Sequence, residues 1–284
     1  MFKISQIKIY FLILLLFANG MIFYTVFAEN RNSFLKVSFL DVGQGDAALI
    51  ESPTGNQFLI DGGPDTSILN ALGRVMPFYD KTIDAVLTTH PDQDHIGGIP
   101  EVLKNYTVGE YISNGATSST STFKELENEI SSKNIKTEVV RANEAFDLGG
   151  GAYLKILYPV DDPKGTDTNE YSIMAKLYYG NSTFLFTGDA PTNVEQFLAK
   201  TDGMELKSDV LKVAHHGSKN SLSSEFLSAV SPQYSVISAG KNNSFGHPHK
   251  EILDFLNSIN SKILGTYDLG DIYFISDGQS VNIQ

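Results

Sequence analysis

The chain has 284 residues, 42% apolar and 19% charged, the balance of a globular protein with a sizeable core. It contains no cysteine, so disulfides and thiolate metal sites are excluded, and any transition metal must be held by histidine and carboxylate. The net charge of −12 excludes broad electrostatic docking on a phosphate backbone; an anionic substrate would have to be drawn by bound cations and a few local lysines.

The N-terminus stands apart. Lys3 and Lys8 open it, and residues 9–28 carry no charge and are mostly Leu, Ile, Phe and Val. Val26, Phe27 and Ala28 place small or medium residues where a signal peptidase cuts, and the run is also long enough to span a bilayer. Residues 1–28 therefore read as a cleaved signal or a retained membrane anchor, and either one exports the rest. That remainder carries 19 basic and 33 acidic residues, a net −14, since the first 28 residues hold two lysines and no acid.

From residue 34 onward, short β-type runs alternate with helical stretches. Residues 34–41 (FLKVSFLD), 47–51 and 57–61 read as strands separated by the turn signals GQGD and SPTGN. A helix over 67–75 and a strand over 83–89 follow, then a histidine-rich turn, a short helix near 98–104 and a helix over 120–132. Strands are expected over 137–140, 153–158, 171–179 and 183–187, a helix over 192–199, a strand over 210–214 and a helix over 222–229. A strand over 234–238, a helix over 250–258 and strands near 263–266 and 272–275 close the chain. The two halves have similar patterns and no linker between them. This predicts one α/β domain over 31–284, two sheets packed face to face with helices outside.

All six histidines fall in three regions that follow expected strands. His90-Pro91-Asp92-Gln93-Asp94-His95 packs four metal-capable side chains into six residues, a set suited to Zn²⁺ or Mn²⁺ and large enough for two adjacent ions. Asp189, in FTGD after an apolar strand, is placed to bridge two metals. His215 and His216 leave a strand side by side, so alternation sends them to opposite faces; His215, sharing a face with Leu211 and Val213, is the expected ligand and His216 the substrate-facing partner. His247, in GHPH, is a candidate general acid for a leaving oxygen; His249 is an early helix residue.

These residues resemble a known family. HPDQDHIGG is similar to the metal-binding signature of the metallo-β-lactamase superfamily, commonly His-x-His-x-Asp-His. With Asp92 in the second place it resembles the hydrolase domain of the ComEC competence DNA-uptake proteins. FLDVGQGDAALIE, FLIDGG, FTGDA, LKVAHHGSKNS and FGHPH resemble the same group in the same order, from about residue 34 to the C-terminus. The resemblance implies an αββα four-layer sandwich, two mixed β-sheets flanked by helices, with a two-metal site along one edge. His90 and Asp92 would hold one ion, Asp94 and His95 the other; Asp189 would bridge them and a histidine of the 215–216 pair would complete the set. Asp61 would orient a ligand histidine. Two departures stand out. The superfamily's further ligand histidine has no counterpart, since no histidine lies between His95 and His215; Asn169, Glu170 or a water is the expected stand-in. And a DNA channel needs many membrane spans, so this chain is not expected to be the channel itself.

Together these readings predict an exported enzyme that cuts phosphodiesters with metal-activated water, single-stranded DNA being the first substrate expected. Asp94 would position the nucleophile, and His247 or the non-ligand histidine of the pair would protonate the leaving oxygen. A phosphodiesterase of the cell wall or of lipid headgroups is the rival enzyme, and a non-catalytic metal-binding surface module the rival without chemistry.

Overall fold

The computed structural model describes residues 3–29 and 34–284. The chain divides into two units, Met1–Ser33 and Phe34–Gln284. In the first, helix α1 (Lys3–Glu29) is apolar all round. Its stretch Gln6–Tyr24, with mean hydropathy 1.9, is long and apolar enough to cross a membrane. The side chains of the expected cleavage-site residues 26–28, and the expected domain start at residue 31, lie outside the described parts.

The second unit opens with β1 (Leu35–Phe39), β2 (Ala48–Glu51), β3 (Gln57–Ile60), α2 (Ser67–Val75) and β4 (Thr82–Thr88). Then come α3 (Gln93–Ile96), α4 (Ile99–Asn105), β5 (Thr107–Ser113), α5 (Ser121–Lys133) and β6 (Lys136–Val139). The second half runs β7 (Ala145–Gly149), β8 (Ala152–Tyr158), β9 (Met174–Tyr179), β10 (Ser182–Phe186), α6 (Thr192–Thr201), β11 (Val210–Lys212), α7 (Ser224–Val230) and β12 (Tyr234–Ile237). It ends with α8 (Lys250–Ser258), β13 (Lys262–Gly265), α9 (Thr266–Leu269), β14 (Ile272–Ser276) and β15 (Val281–Ile283).

One sheet has eight strands in the order β15-β14-β1-β2-β3-β4-β5-β6, the other seven in the order β13-β12-β11-β10-β9-β8-β7. Each is mixed. The β3–β6 and β10–β13 blocks are parallel, and the hairpin-connected strands beside them are antiparallel. Period-two alternation explains the layering. Leu35, Val37 and Phe39 of β1 join Phe184, Phe186, Val210 and Phe274 in a core between the sheets, while Leu49 and Leu59 pack outward on α2, α4 and α5. Leu211 and Val213 pack outward on α6, α7 and α8. The result is helix, sheet, sheet, helix, the αββα sandwich the sequence implied. Strands β5, β7 and β15 and the single turn α3 were not expected. In β5 the interior Gly109 and Glu110 mask the strand pattern; a Cβ at 109 would meet the Asp84 carbonyl at 2.6 Å, so glycine lets β5 lie against β4 there.

One buried group braces the loop behind the site. Glu195, fully buried in α6, accepts the backbone N–H of Leu222 (2.9 Å) and Ser223 (2.7 Å), holding Leu222 at φ +68°. Burial outweighs these bonds and pushes its pKa up to about 7. The unfolded carboxyl titrates near 4.5, so its contribution to stability is complete below that pH and is lost as the pH rises through about 7. Across this window the gap between wild type and Glu195→Gln should shift in the variant's favour as pH rises, read from unfolding midpoints. A gap constant with pH contradicts the assignment.

Candidate metal centre

Five loops reach the same edge of the sandwich, and all five leave the C-terminal ends of strands in the parallel blocks. Asp61 follows β3, His90 to His95 follow β4, His215 and His216 follow β11, and Ser238 follows β12. Asp189 leaves β10, which runs parallel to β11. The two sheets therefore contribute ligands from opposite sides of one seam.

The first sheet supplies His95 and Asp94 on α3. His95 is fully buried, and its Nδ1–H points at Asp61 Oδ2 (2.8 Å). Asp61 is itself held by the Thr89 backbone N–H and hydroxyl, both at 2.8 Å. This bond fixes the tautomer, leaving His95 Nε2 toward Asp189 Oδ1 at 3.2 Å. The second sheet supplies His216, buried, with Nδ1 2.9 Å from the Ser238 carbonyl and Nε2 3.1 Å from Asp94 Oδ2 and 3.7 Å from Asp189 Oδ2. Because a carbonyl only accepts, Nδ1 carries the proton and Nε2 faces the carboxylates. Asp94, His95, Asp189 and His216 offer ligand atoms within 4.8 Å of one another.

The assignment within the histidine pair is the reverse of the expectation. The strand ends at Lys212, not at residue 214, and the pair sits in a 3-10 turn over Ala214–Gly217 with His215 at φ 50° and His216 at φ 55°. Strand alternation does not apply there, and the face shared by Leu211 and Val213 packs on the helices rather than on the site. So the structure brings His216 into the cluster and leaves the His215 ring, 30% exposed, at its mouth, Nε2 3.7 Å from Asp189 Oδ2.

His90 and Asp92 form a poorer second position. His90 is buried, its ring 4.1 Å from that of His95 and its Nδ1 3.0 Å from the Thr89 hydroxyl and 3.2 Å from that of Ser172. Its Nε2 lies 3.8 Å from Asp92 Oδ2, but Asp92 is 42% exposed and its other oxygen accepts from the Thr168 hydroxyl at 2.5 Å. Glu170 joins no group of candidate histidine and carboxylate ligands among the described residues, while the Asn169 side-chain oxygen is buried without a hydrogen-bond partner. Ser172, which the sequence did not single out, joins His90 Nδ1 to the Asp189 N–H (3.2 Å). His247 stands outside the cluster, its ring 5.8 Å from His215 and 6.2 Å from His216 and stacked on exposed Phe245. His249 directly precedes α8 without a side-chain capping bond, its ring 5.1 Å from that of His247.

Two further residues escaped the sequence reading. Asp46, in the GQGD turn, lies 3.1 Å from His216 Nδ1, and buried Lys212 reaches it at 2.7 Å. The signals were present: GQGD belongs to a quoted motif but was read only as a turn, and Lys212 is a lone cation in the apolar run VLKVA.

The electrostatics fit a divalent cation. His90 Nε2, His95 Nε2 and Asp189 Oδ1 are buried without a hydrogen-bond partner, a costly state for atoms with nothing to bind. Burial opposes charge on His216, yet Asp189 and Asp46 outweigh it and push its pKa up to about 10. The same contest, with Asp189 and Asp61 prevailing over burial, holds His95 well above the ordinary imidazole range, and His95 and His216 likewise prevail over burial to hold Asp189 well below the carboxylate range. His247 moves the other way: burial, then His216, His215 and His249, bring it down to about 4. With no metal bound, protons on two imidazoles thus play the part of a cation among carboxylates. Ligation needs neutral imidazole, so cation uptake near pH 7 should release protons and tighten as pH rises. Calorimetry of Mn²⁺ or Zn²⁺ binding in buffers of different ionisation enthalpy reads this directly; uptake without proton release contradicts the charge assignment.

Comparison with known proteins agrees with this geometry. A family model described as the metallo-beta-lactamase superfamily matches residues 40–241. Among curated proteins, the chain is 31% identical to ComE operon protein 3 of Bacillus subtilis (strain 168) over 257 residues, 84% of this chain and 33% of that protein. It is 32% identical to Recombination protein 2 of Haemophilus influenzae over 241 residues, 84% and 28% of the two chains, and 28% identical to Competence protein ComA of Neisseria gonorrhoeae over 242 residues, 84% and 32%. All three are ComEC-type competence proteins, and the chain spans about a third of their length. Among solved structures, Igni18, a metallo hydrolase from Ignicoccus hospitalis, superimposes with a TM-score of 0.54 at 15% identity over 85% of this chain and 98% of that one. A mutant of the CmlA beta-hydroxylase gives 0.56 at 13% identity over 84% and 53%. At such identities the likeness is one of fold.

Proposed function

The chain belongs to the metallo-β-lactamase superfamily, a family of metal-dependent hydrolases, and from that premise we propose that it is an exported phosphodiesterase acting on nucleic acid, single-stranded DNA first. The observation that carries the reading is the cage of Asp94, His95, Asp189 and His216, its imidazole nitrogens oriented from behind and several ligand atoms buried without partners. The names of the curated relatives, which speak of competence and recombination, support a nucleic-acid substrate, and helix α1 supports export as a signal or an anchor.

Divalent cations, Zn²⁺ or Mn²⁺ by ligand chemistry, would polarise a phosphate oxygen and lower the pKa of water when bound there. His95 and His216 take the cage position with Asp94 and Asp189, and His90, Asp92 and Asp189 offer the second, weaker one. Asp94, 35% exposed while its partners are buried, faces solvent and orients the attacking water. The leaving oxygen departs on the side of His215 and His247. His247 is neutral at pH 7 in the free protein, so it serves as general acid only once a bound phosphate restores its proton; His215 lines the same mouth.

A wall or lipid-headgroup phosphodiester is the second reading, favoured by the acidic surface, net −12. The intact cage weighs against a module without chemistry. Asp94→Asn should keep its unfolding midpoint and lose phosphodiester turnover by more than the roughly 10–100-fold typical of an outer partner, and chelation should abolish wild-type turnover until Mn²⁺ or Zn²⁺ is returned. Single-stranded DNA, bis(4-nitrophenyl) phosphate and poly(glycerol phosphate) assayed side by side choose between the readings. Wild-type protein loaded with each metal and inert on all three would remove the proposal.

A further inference from the structure

We propose that Lys212 and Asp46 form a buried brace across the two sheets that sets the pose of His216, and thereby the affinity of the cage for its cation. The inference rests on the reading of His216 as a ligand.

A lysine in the middle of the sandwich needs a reason. On β11, Val210 faces the core between the sheets, and Lys212, two residues on, points the same way. Its side chain is 4% exposed, and it lines a small cavity of ≈ 10 Å³ with Phe39, Ile60, Phe186 and Asp46. The strand does not need the charge, because its register is carried by backbone pairing to β10 and β12. A buried ammonium opposite a buried carboxylate rarely repays its desolvation compared with an apolar pair, so such a pair signals positional specificity rather than stability. The ammonium pairs with Asp46 Oδ2 at 2.7 Å and donates to the Val213 carbonyl (2.9 Å) at the entry to the His215–His216 turn.

Asp46 comes from the other sheet, in the turn between β1 and β2, and touches ligands of both halves. Its Oδ1 lies 3.1 Å from His216 Nδ1, and its N–H donates to the Asp94 carbonyl (3.2 Å). The close approach to Asp94 demands glycine next door: a Cβ at Gly45, whose φ is +150°, would sit 2.3 Å from the Asp94 carbonyl oxygen. His216 itself sits at φ 55°, a strained backbone for a side chain with a Cβ, which persists only where its surroundings over-determine it. The Ser238 carbonyl accepts the hydrogen bond from Nδ1, and the Asp46 carboxylate, paired with Lys212 and with its Oδ1 free of any hydrogen bond, adds an ionic constraint at 3.1 Å from the same nitrogen. Lys212 thus reaches the cage through Asp46 and His216. It is a positioning residue, with no direct contact to the ligand atoms.

The test is a double-mutant cycle of Lys212→Met, Asp46→Asn and the pair, read by Mn²⁺ affinity and, separately, by the unfolding midpoint of the metal-free protein. The brace predicts each single variant to weaken Mn²⁺ about 10–100-fold and the double to be no weaker than the worse single, because both act through one pose. Lower midpoints with affinity unchanged within about twofold would show a fold contact only and overturn the proposal. Where Lys212→Met does not fold, Asp46→Asn and the neutral double variant carry the same comparison. Wild-type protein that takes up no cation would defeat the functional reading; the brace is then judged by a crystal structure of Lys212→Met. There, loss of the 3.1 Å approach of His216 Nε2 to Asp94 sustains the brace, and its retention overturns it.

Discussion

The site depends on one constraint: carboxylates that leave water must be matched by positive charge. Asp46, Asp61 and Asp189 are buried, and Asp94 is half-buried beside them, at one seam between the sheets. Lys212 neutralises only Asp46, so the remaining negative charge falls on the imidazoles or on a cation. Every orienting bond follows from that. Asp61 holds His95 from behind, Ser238 and Asp46 constrain His216, and Thr89 and Ser172 hold His90, so that Nε2 of each ring is the nitrogen turned to the site.

The fold makes this convergence possible without long loops. Each half of the chain builds a parallel block whose strands end at the same edge, and packing the halves face to face through Phe39, Phe184, Phe186 and Phe274 brings those edges together. Three residues at the seam, Asp61, His215 and His216, have positive φ. Residues with a Cβ tolerate that conformation when side-chain bonds fix them, and in two of the three the bonds are to neighbours of the cage.

Much of this was legible before any coordinates. The run from His90 to His95 announced itself because four metal-capable side chains in six residues have no packing purpose, and Asp61 and Asp189 were singled out by the motifs around them. The repeat of strand–hairpin and strand–helix patterns in the two halves, with no linker between them, was enough to read two sheets with helices outside. What failed did so for identifiable reasons. Alternation was extended two residues past the end of β11, which sent His215 and His216 to the wrong sides. Asp46 and Lys212 are 166 positions apart, and nothing local says that they meet; only the face-to-face packing joins them. Ser172 carries no signal of its own in the sequence, and only the fold sets its hydroxyl between His90 Nδ1 and the Asp189 N–H.

The central claim is that four side chains from both sheets enclose a divalent cation. Anomalous diffraction at the manganese edge from crystals equilibrated with Mn²⁺ tests it most directly. The account predicts a strong peak bounded by Asp94, His95, Asp189 and His216, with any weaker second peak beside His90 and Asp92. A protein that binds Mn²⁺ in solution yet shows its peak elsewhere, with those four side chains engaged only with one another, would contradict it.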